Sequence, residues 1–282
     1  MSDRSCAGAI AGRSFSFSRT AVVVVPLCCI VLLAQSARAA QIHYGTHEGS
    51  NVYFTDVSED SGASEPLPLF GPPTVTGNTI DFNPLGFDTA SSGAGSDITS
   101  SNLQFGIQAK IGARIQNVLL NETGDTTLAG NVPPGSLATS SAVFASGVLD
   151  IYEVDFTEIN HISVPFSLSF SPSGGTFFLG TDGGGGPLFH TQWSGSATLQ
   201  VEAILVANGV AFEHGATRVA VNLTNTLSAV SESGTSSVMG KVDFGATTQI
   251  ITVRNDIPEP AVVAVPALVF FTLRRRRCGC SL

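Results

Sequence analysis

The stretch "NLQFGIQAKI", residues 102–111, decides the fold class. Leu103, Phe105, Ile107, Ala109 and Ile111 fall on one side of an extended chain, and Gln104, Gln108 and Lys110 on the other. A period of two is the mark of a strand with one face buried and one face wet. The pattern returns in "VPFSLSF" (164–170), where Val164, Phe166, Leu168 and Phe170 alternate with Pro165, Ser167 and Ser169. In "RVAVNLTNTLSA" (218–229) it turns Val219, Val221, Leu223, Leu227 and Ala229 inward around Asn225. Leu199–Leu205 and Gln249–Val253 read as two further half-buried strands.

Clusters of Asn, Gly, Ser and Pro separate these runs: "TGN" at 76–78, "GNVPPG" at 130–135 and "SPSGG" at 171–175. Such residues supply the backbone angles that turns require. No segment keeps a helical period for three turns. Strands that are apolar on one face must cover that face with another sheet. The expected body is therefore all-β, an antiparallel β-sandwich or jelly roll. "GNVPPG" could divide two lobes, but no internal repeat is visible and one continuous body is expected.

Composition points the same way. Of 282 residues, 43% are hydrophobic and 12% charged, with 30 glycines, a balance suited to strands and turns. Between residues 40 and 257 the cations are Lys110, Arg114, Lys241, Arg218 and Arg254, against all the acids of the chain except Asp3 and Glu259. An acidic body repels nucleic acid and anionic lipid, so neither is an expected partner. The five cysteines are Cys6, Cys28, Cys29, Cys278 and Cys280, all outside the body. The body thus needs no disulfide framework and offers neither thiolate chemistry nor a zinc–thiolate site.

Both ends read as targeting segments. Arg4, Arg13 and Arg19 precede the apolar run "AVVVVPLCCIVLLA" (21–34), and Ala37-Arg38-Ala39 fits the small-x-small pattern of signal peptidase. Residues 1–39 are expected to be a signal peptide, with Ala37 and Ala39 at the cleavage site and Ala40 first in the mature chain. At the other end, Ala261–Leu273 is an apolar run of 13 residues interrupted by Pro266. As a helix it would extend roughly 20 Å against a hydrocarbon core of about 30 Å. Arg274, Arg275, Arg276 and Arg277 follow it. A short apolar helix ending in clustered arginines suits a temporary stop during export, because such clusters stay on the cytoplasmic side.

Pro258-Glu259-Pro260, the apolar stretch and Arg274–Arg277 together resemble the PEP-CTERM sorting signal of bacteria. The resemblance covers the tail, residues 258–282. It implies that Pro258, Glu259 and Pro260 are recognised by a membrane-embedded cysteine protease, the exosortase, and that the arginines hold the tail in the membrane until processing. It also implies an exported protein, transiently tethered and then held at the cell surface or secreted, in a setting of extracellular polysaccharide and biofilm matrix. Its membrane partners would be signal peptidase and the exosortase. The stretches "GSDITSSNLQFGIQAKIGARIQNVLLNETGD" and "RVAVNLTNTLSAVSESGTSS" resemble, more loosely, the bodies of such proteins.

Chemistry is thinly signalled in the body. In "DIYEVDFTEINH" (150–161), a strand over 152–156 would set Glu153 and Asp155 on one face, about 6.5–7 Å apart. That spacing could serve an inverting glycosidase or bind calcium, although a solvated strand face is the plainer reading. In "YFTDVSEDSG", Asp56, Glu59 and Asp60 lie near a glycine turn without the spacing of an EF-hand loop. His43, His47 and Glu48 lack the His-Glu-x-x-His order of a zinc helix. "TDGGGG" (181–186) has no lysine and reads as a surface loop, and no serine stands in Gly-x-Ser-x-Gly. Trp193, Tyr44, Tyr53 and Tyr152 are few rings for a carbohydrate-binding face. The expected function is that of an exported, non-catalytic surface or matrix protein, with no catalytic, cofactor or resident metal residues assigned. A secreted glycan- or calcium-binding module is the alternative, and a polysaccharide hydrolase comes after it.

Overall fold

The computed structural model describes residues 41–61, 66–182 and 186–252. The expected signal peptide with Ala37 and Ala39, and the expected tail with Pro258, Glu259, Pro260 and Arg274 to Arg277, lie outside the described residues. Part of "TDGGGG" lies outside them too. Among the described residues, no helix is long and apolar enough to cross a membrane.

In chain order the strands are β1 (Gln41–Glu48), β2 (Val52–Asp60), β3 (Thr74–Thr76), β4 (Thr79–Phe82), β5 (Asp88–Ser92), β6 (Gly95–Ala109) and β7 (Ala113–Gly130). They continue with β8 (Ser140–Val154), β9 (Thr157–Ser167), β10 (Ser169–Ser171), β11 (Thr176–Phe178) and β12 (Leu188–Gln200). A short helix α1 (Val201–Ala207) precedes β13 (Ala216–Ser231) and β14 (Thr235–Thr252).

Every strand pairing is antiparallel, which makes the body all-β as its alternation predicts. One set of strands runs β1-β2-β6-β13-β8-β9. Another runs β10-β12-β7-β14-β4-β3, with β5 beside β4 on β14. The sets meet at one rung, Ala216 opposite Ile115. The result is a nearly closed, barrel-like antiparallel sheet with its apolar residues turned inward. Strands on both sides of 130–135 belong to this sheet, since β7 pairs with β12 and β14.

The core follows the predicted phase over most of its length. Leu103, Phe105, Ile107, Val219, Val221, Leu223 and Leu227 are buried, and Asn225 is buried among them. At about 25 cal/mol per Å² of apolar surface, each such side chain contributes roughly 1.5–3 kcal/mol. Gly124 on β7 and Gly147 on β8 mark the tightest approaches. A Cβ at Gly124 would run into the Gly240 carbonyl oxygen and the Trp193 ring, and one at Gly147 into the Asn222 carbonyl oxygen.

Two local expectations fail. Ile111 is not on the core face but 90% exposed in the turn between β6 and β7, because the strand ends at Ala109. Leu199–Leu205 is not one strand. β12 ends at Gln200 and the chain winds into α1, burying Val201 and Leu205. A spacing of four brings those two onto one helical face, whereas a strand would also have placed Ala203 with them.

Candidate functional site

Four lateral neighbours on the outer face of the first strand set build a depression. Register places Asp150 of β8 beside Ala220 of β13, Ala220 beside Gly106 of β6, and Gly106 beside Thr55 of β2. The middle two carry almost no side chain, so the sheet surface dips there. Longer groups one rung away form the walls. Asn222 and Gln104 pair on one side, and Arg218 stands on the other. The open depression has a volume of about 320 Å³ and is lined by polar groups as well as by Tyr152, Asp150 and Asp56. With strands about 4.8 Å apart, β2 to β8 spans roughly 14 Å.

Each end is shaped by a distinct device. At the β8 end, the Tyr152 ring stacks on His161 of β9 at 5.9 Å and 23°. The Arg218 guanidinium lies over the same ring at 5.4 Å. Arg218 is also an ion-pair partner, with Nε 2.8 Å from Glu153 Oε1 and Nη2 donating to Glu158 Oε1 at 3.2 Å. At the β2 end, a bulge between Thr55 and Ser58 breaks the register. It leaves Asp56 exposed with φ at 52°, an uncommon conformation for a residue with a side chain. Bulges of this kind re-aim a side chain, and here the rim gains a carboxylate.

The carboxylates singled out in the sequence have other duties. Glu153 and Asp155 do not share a strand face. β8 ends at Val154, and Asp155 and Phe156 (φ 51° and 61°) form the two-residue turn into β9. The primed turn matches the strand twist. The Asp155 carboxylate accepts from the amides of Glu213 (2.7 Å), His214 (3.0 Å) and Gly215 (3.1 Å), and from Arg114 Nε (3.4 Å). Burial opposes the charge on Asp155, yet these donors outweigh it and hold the group below the usual aspartate range. Asp155 is an anchor for the loop before β13. Glu153 accepts from Gln108 Nε2 at 3.4 Å and faces Arg218.

Glu59 is buried, not part of a surface acidic turn. Its Oε1 accepts from the amides of Leu69 (2.7 Å) and Phe70 (3.0 Å) and from Ser101 Oγ (3.2 Å). Tyr44 donates its hydroxyl to Oε2 at 2.9 Å. Burial first, then the hydrogen bond to Glu59 and its charge, keep the Tyr44 phenol protonated well above its usual range. His43 and His47 lie on strand β1, and His47 Nε2 contacts the Tyr44 carbonyl oxygen at 3.1 Å. Asp182 Oδ2 accepts from the Phe178 amide at 2.6 Å, closing the turn that begins "TDGGGG". Among the described residues, no group of three or more His, Cys, Asp or Glu is gathered to hold a metal ion.

Sequence reasoning missed a buried ion pair. Lys241 Nζ of β14 donates to Glu122 Oε2 of β7 at 2.5 Å, and neither side chain has exposed surface. The ammonium lies 5.0 Å from the Phe70 ring, 4.9 Å from Phe87 and 5.6 Å from Phe244. Burial depresses the lysine below its ordinary range, with the Glu122 carboxylate opposing that shift. A signal was present: Lys241 keeps the inward phase of Ser237 and Met239, and Glu122 that of Val118 and Leu120.

The aromatic residues divide similarly. Trp193 is buried, its ring edge-on to Phe170 at 5.9 Å and its Nε1 donating to the Asp125 carbonyl at 3.2 Å. Tyr53 lies under Lys110, 4.8 Å from ring centre to Nζ. Of the four Trp and Tyr rings, Tyr152 is the one that lines the depression.

No protein-family model and no characterised protein matches the chain. Among solved structures, it overlaps the TmCBM61 module in complex with beta-1,4-galactotriose at 11% identity and a TM-score of 0.20, covering 61% of this chain and 70% of that one. It overlaps the enzymatically active domain of tailspike protein 4 of bacteriophage CBA120 at 12% identity and a TM-score of 0.18, covering 71% of this chain and 20% of that one. At such scores the overlaps carry no argument about function.

Proposed function

We propose that the chain is an exported, non-catalytic surface or matrix protein whose body binds a neutral glycan in the Tyr152–Asp56 depression. In this reading the two strand sets are the layers of a jelly-roll-like sandwich, and the outer face of the first is the binding face. The observation that carries it is the depression itself: a shallow trough with a small-residue floor, amide-bearing walls and a tyrosine at one end. Amides and carboxylates hydrogen-bond hydroxyls, and the edge of a ring held between His161 and Arg218 supplies apolar contact, which is the mixture a sugar requires. The local charge favours a neutral ligand. Arg218 is matched by Glu153 and Glu158, while Asp56 and Asp150 add negative charge at the two ends. A polyanion would be repelled. The engagement of Glu59, Glu122, Glu153 and Asp155 in structural contacts supports a non-catalytic role.

Export and tail sorting belong to the same proposal and rest on the resemblance at residues 258–282. The mature chain would begin near Ala40 and end near Pro258–Pro260, and the intact mass of protein recovered from its host reads both ends at once.

The binding claim is tested by titrating purified protein with neutral β-linked oligosaccharides of the gluco, galacto, manno and N-acetylglucosamine series, using a polyuronate as the acidic counterpart. At least one neutral series binds, Tyr152→Ala weakens it about tenfold through loss of ring contact, and the polyuronate does not compete. Failure of every neutral series to bind sinks the reading.

A further inference from the structure

A second recess adjoins the first on the same face. It has a volume of about 140 Å³ and is lined by Gln41, Ser58, Asp60, Asn102 and Gln104. Gln104 lines both recesses and so joins them. Register explains the position. Gln104 of β6 is level with Ser58 of β2, Asn102 is one outward step further along and level with Asp60, and Asp60 is level with Gln41 of β1. The recess therefore extends the trough diagonally to the edge strand β1, and the combined track crosses β8, β13, β6, β2 and β1. Four strand intervals at about 4.8 Å give it a length of roughly 19 Å.

All five lining residues are polar. Asn102 Oδ1 is shielded from solvent and has no hydrogen-bond partner within the protein. Such an oxygen is costly to leave unsatisfied, and a turn of the half-buried Asn102 side chain would bring it to a hydroxyl in the recess. Tyr152 lies at the other end of the track, so aromatic edge and acceptor are separated by more than one sugar ring.

We infer that the Gln41–Asn102–Asp60 recess is a second subsite, and that the face binds the interior of an unbranched neutral glycan several hexoses long, not a chain end or a single sugar. The inference rests on the glycan reading given above. Asn102 receives a hydroxyl of a distal unit while Tyr152 carries a unit at the opposite end, and Gln104 and Asn222 contact the units between. Because the trough is open, the chain can continue past both subsites.

The test uses the purified protein and the same four neutral oligosaccharide series, each as its disaccharide and its hexasaccharide. The hexasaccharide of a binding series is expected to bind at least tenfold more tightly than its disaccharide. Asn102→Ala should weaken the hexasaccharide about five- to tenfold, the worth of one hydrogen bond, and leave the disaccharide unchanged. Gln41→Ala, at the exposed edge and independent of Asn102 packing, should weaken the hexasaccharide in the same selective way. Equal affinity for the two lengths overturns the inference but leaves the Tyr152 site standing, as does an equal loss for both lengths in Asn102→Ala. If no series binds at either length, both the subsite and the glycan reading fall together.

Discussion

Replacing Glu122 with alanine is expected to destabilise the folded body by about 3–5 kcal/mol, because it leaves the buried Lys241 ammonium without its counter-ion. The three phenylalanine faces around Nζ attract the cation but cannot replace a carboxylate in a site from which water is excluded. The lysine of the variant must then give up its proton or drag its surroundings open. A paired replacement, Glu122→Leu with Lys241→Met, removes both charges while roughly keeping volume, and should come within about 1–4 kcal/mol of neutral on the stabilising side. Denaturant unfolding of purified protein reads both changes as shifts in midpoint at constant slope. If the single variant is no less stable than the paired one, the two charges do not depend on each other as their 2.5 Å contact requires.

Glu59→Ala is expected to cost about 2–6 kcal/mol, since two buried amides lose their acceptor at about 1–3 kcal/mol each. The effect should extend beyond the site. Leu69 and Phe70 are held in place by this carboxylate, and the Phe70 ring packs on Phe82 (6.0 Å), Phe87 (5.1 Å) and Phe244 (5.7 Å). The same ring faces Lys241. Glu59→Gln keeps an acceptor for the amides and should lose much less. A further variant combining Glu59→Ala with Glu122→Ala should show non-additive loss, because Phe70 links the two sites. Equal stability of Glu59→Ala and the parent in denaturant would remove the carboxylate from this role.

How much could be read beforehand differs from element to element. The inward residues of β6 and β13 were legible because period two follows from the pleat alone, whatever strand lies alongside. Helix α1 was not. In "LQVEAIL" the apolar positions alternate at first, and seven residues are too few for a period of 3.6 to separate from one of 2. Asp155 and Phe156 hid their turn because neither is glycine or asparagine, the usual occupants of two positive φ values in succession. Their conformation depends on Arg114 and on amides some 60 residues away. The floor of the depression was hidden for another reason. Gly106 and Ala220 are each unremarkable in sequence, and their adjacency arises from the β6–β13 register. The outward phase of Gln104 and Asn222 was visible; their meeting was not.

The order of strands along the chain bears on how the body comes into being. β14 is the last strand among the described residues, yet it pairs with β7 from Thr235 to Thr252 and supplies Lys241, whose partner lies 119 residues earlier. Until that strand is available, one long edge of β7 has no neighbour and Glu122 has no counter-ion. A chain threaded through a membrane with its amino end leading would thus present an unfinished edge throughout its passage, the kind of edge that recruits other chains. If the chain is exported as proposed, a holdase in the receiving compartment, or a delay at the tail that keeps each chain apart from the next, would protect the product until β14 closes that edge.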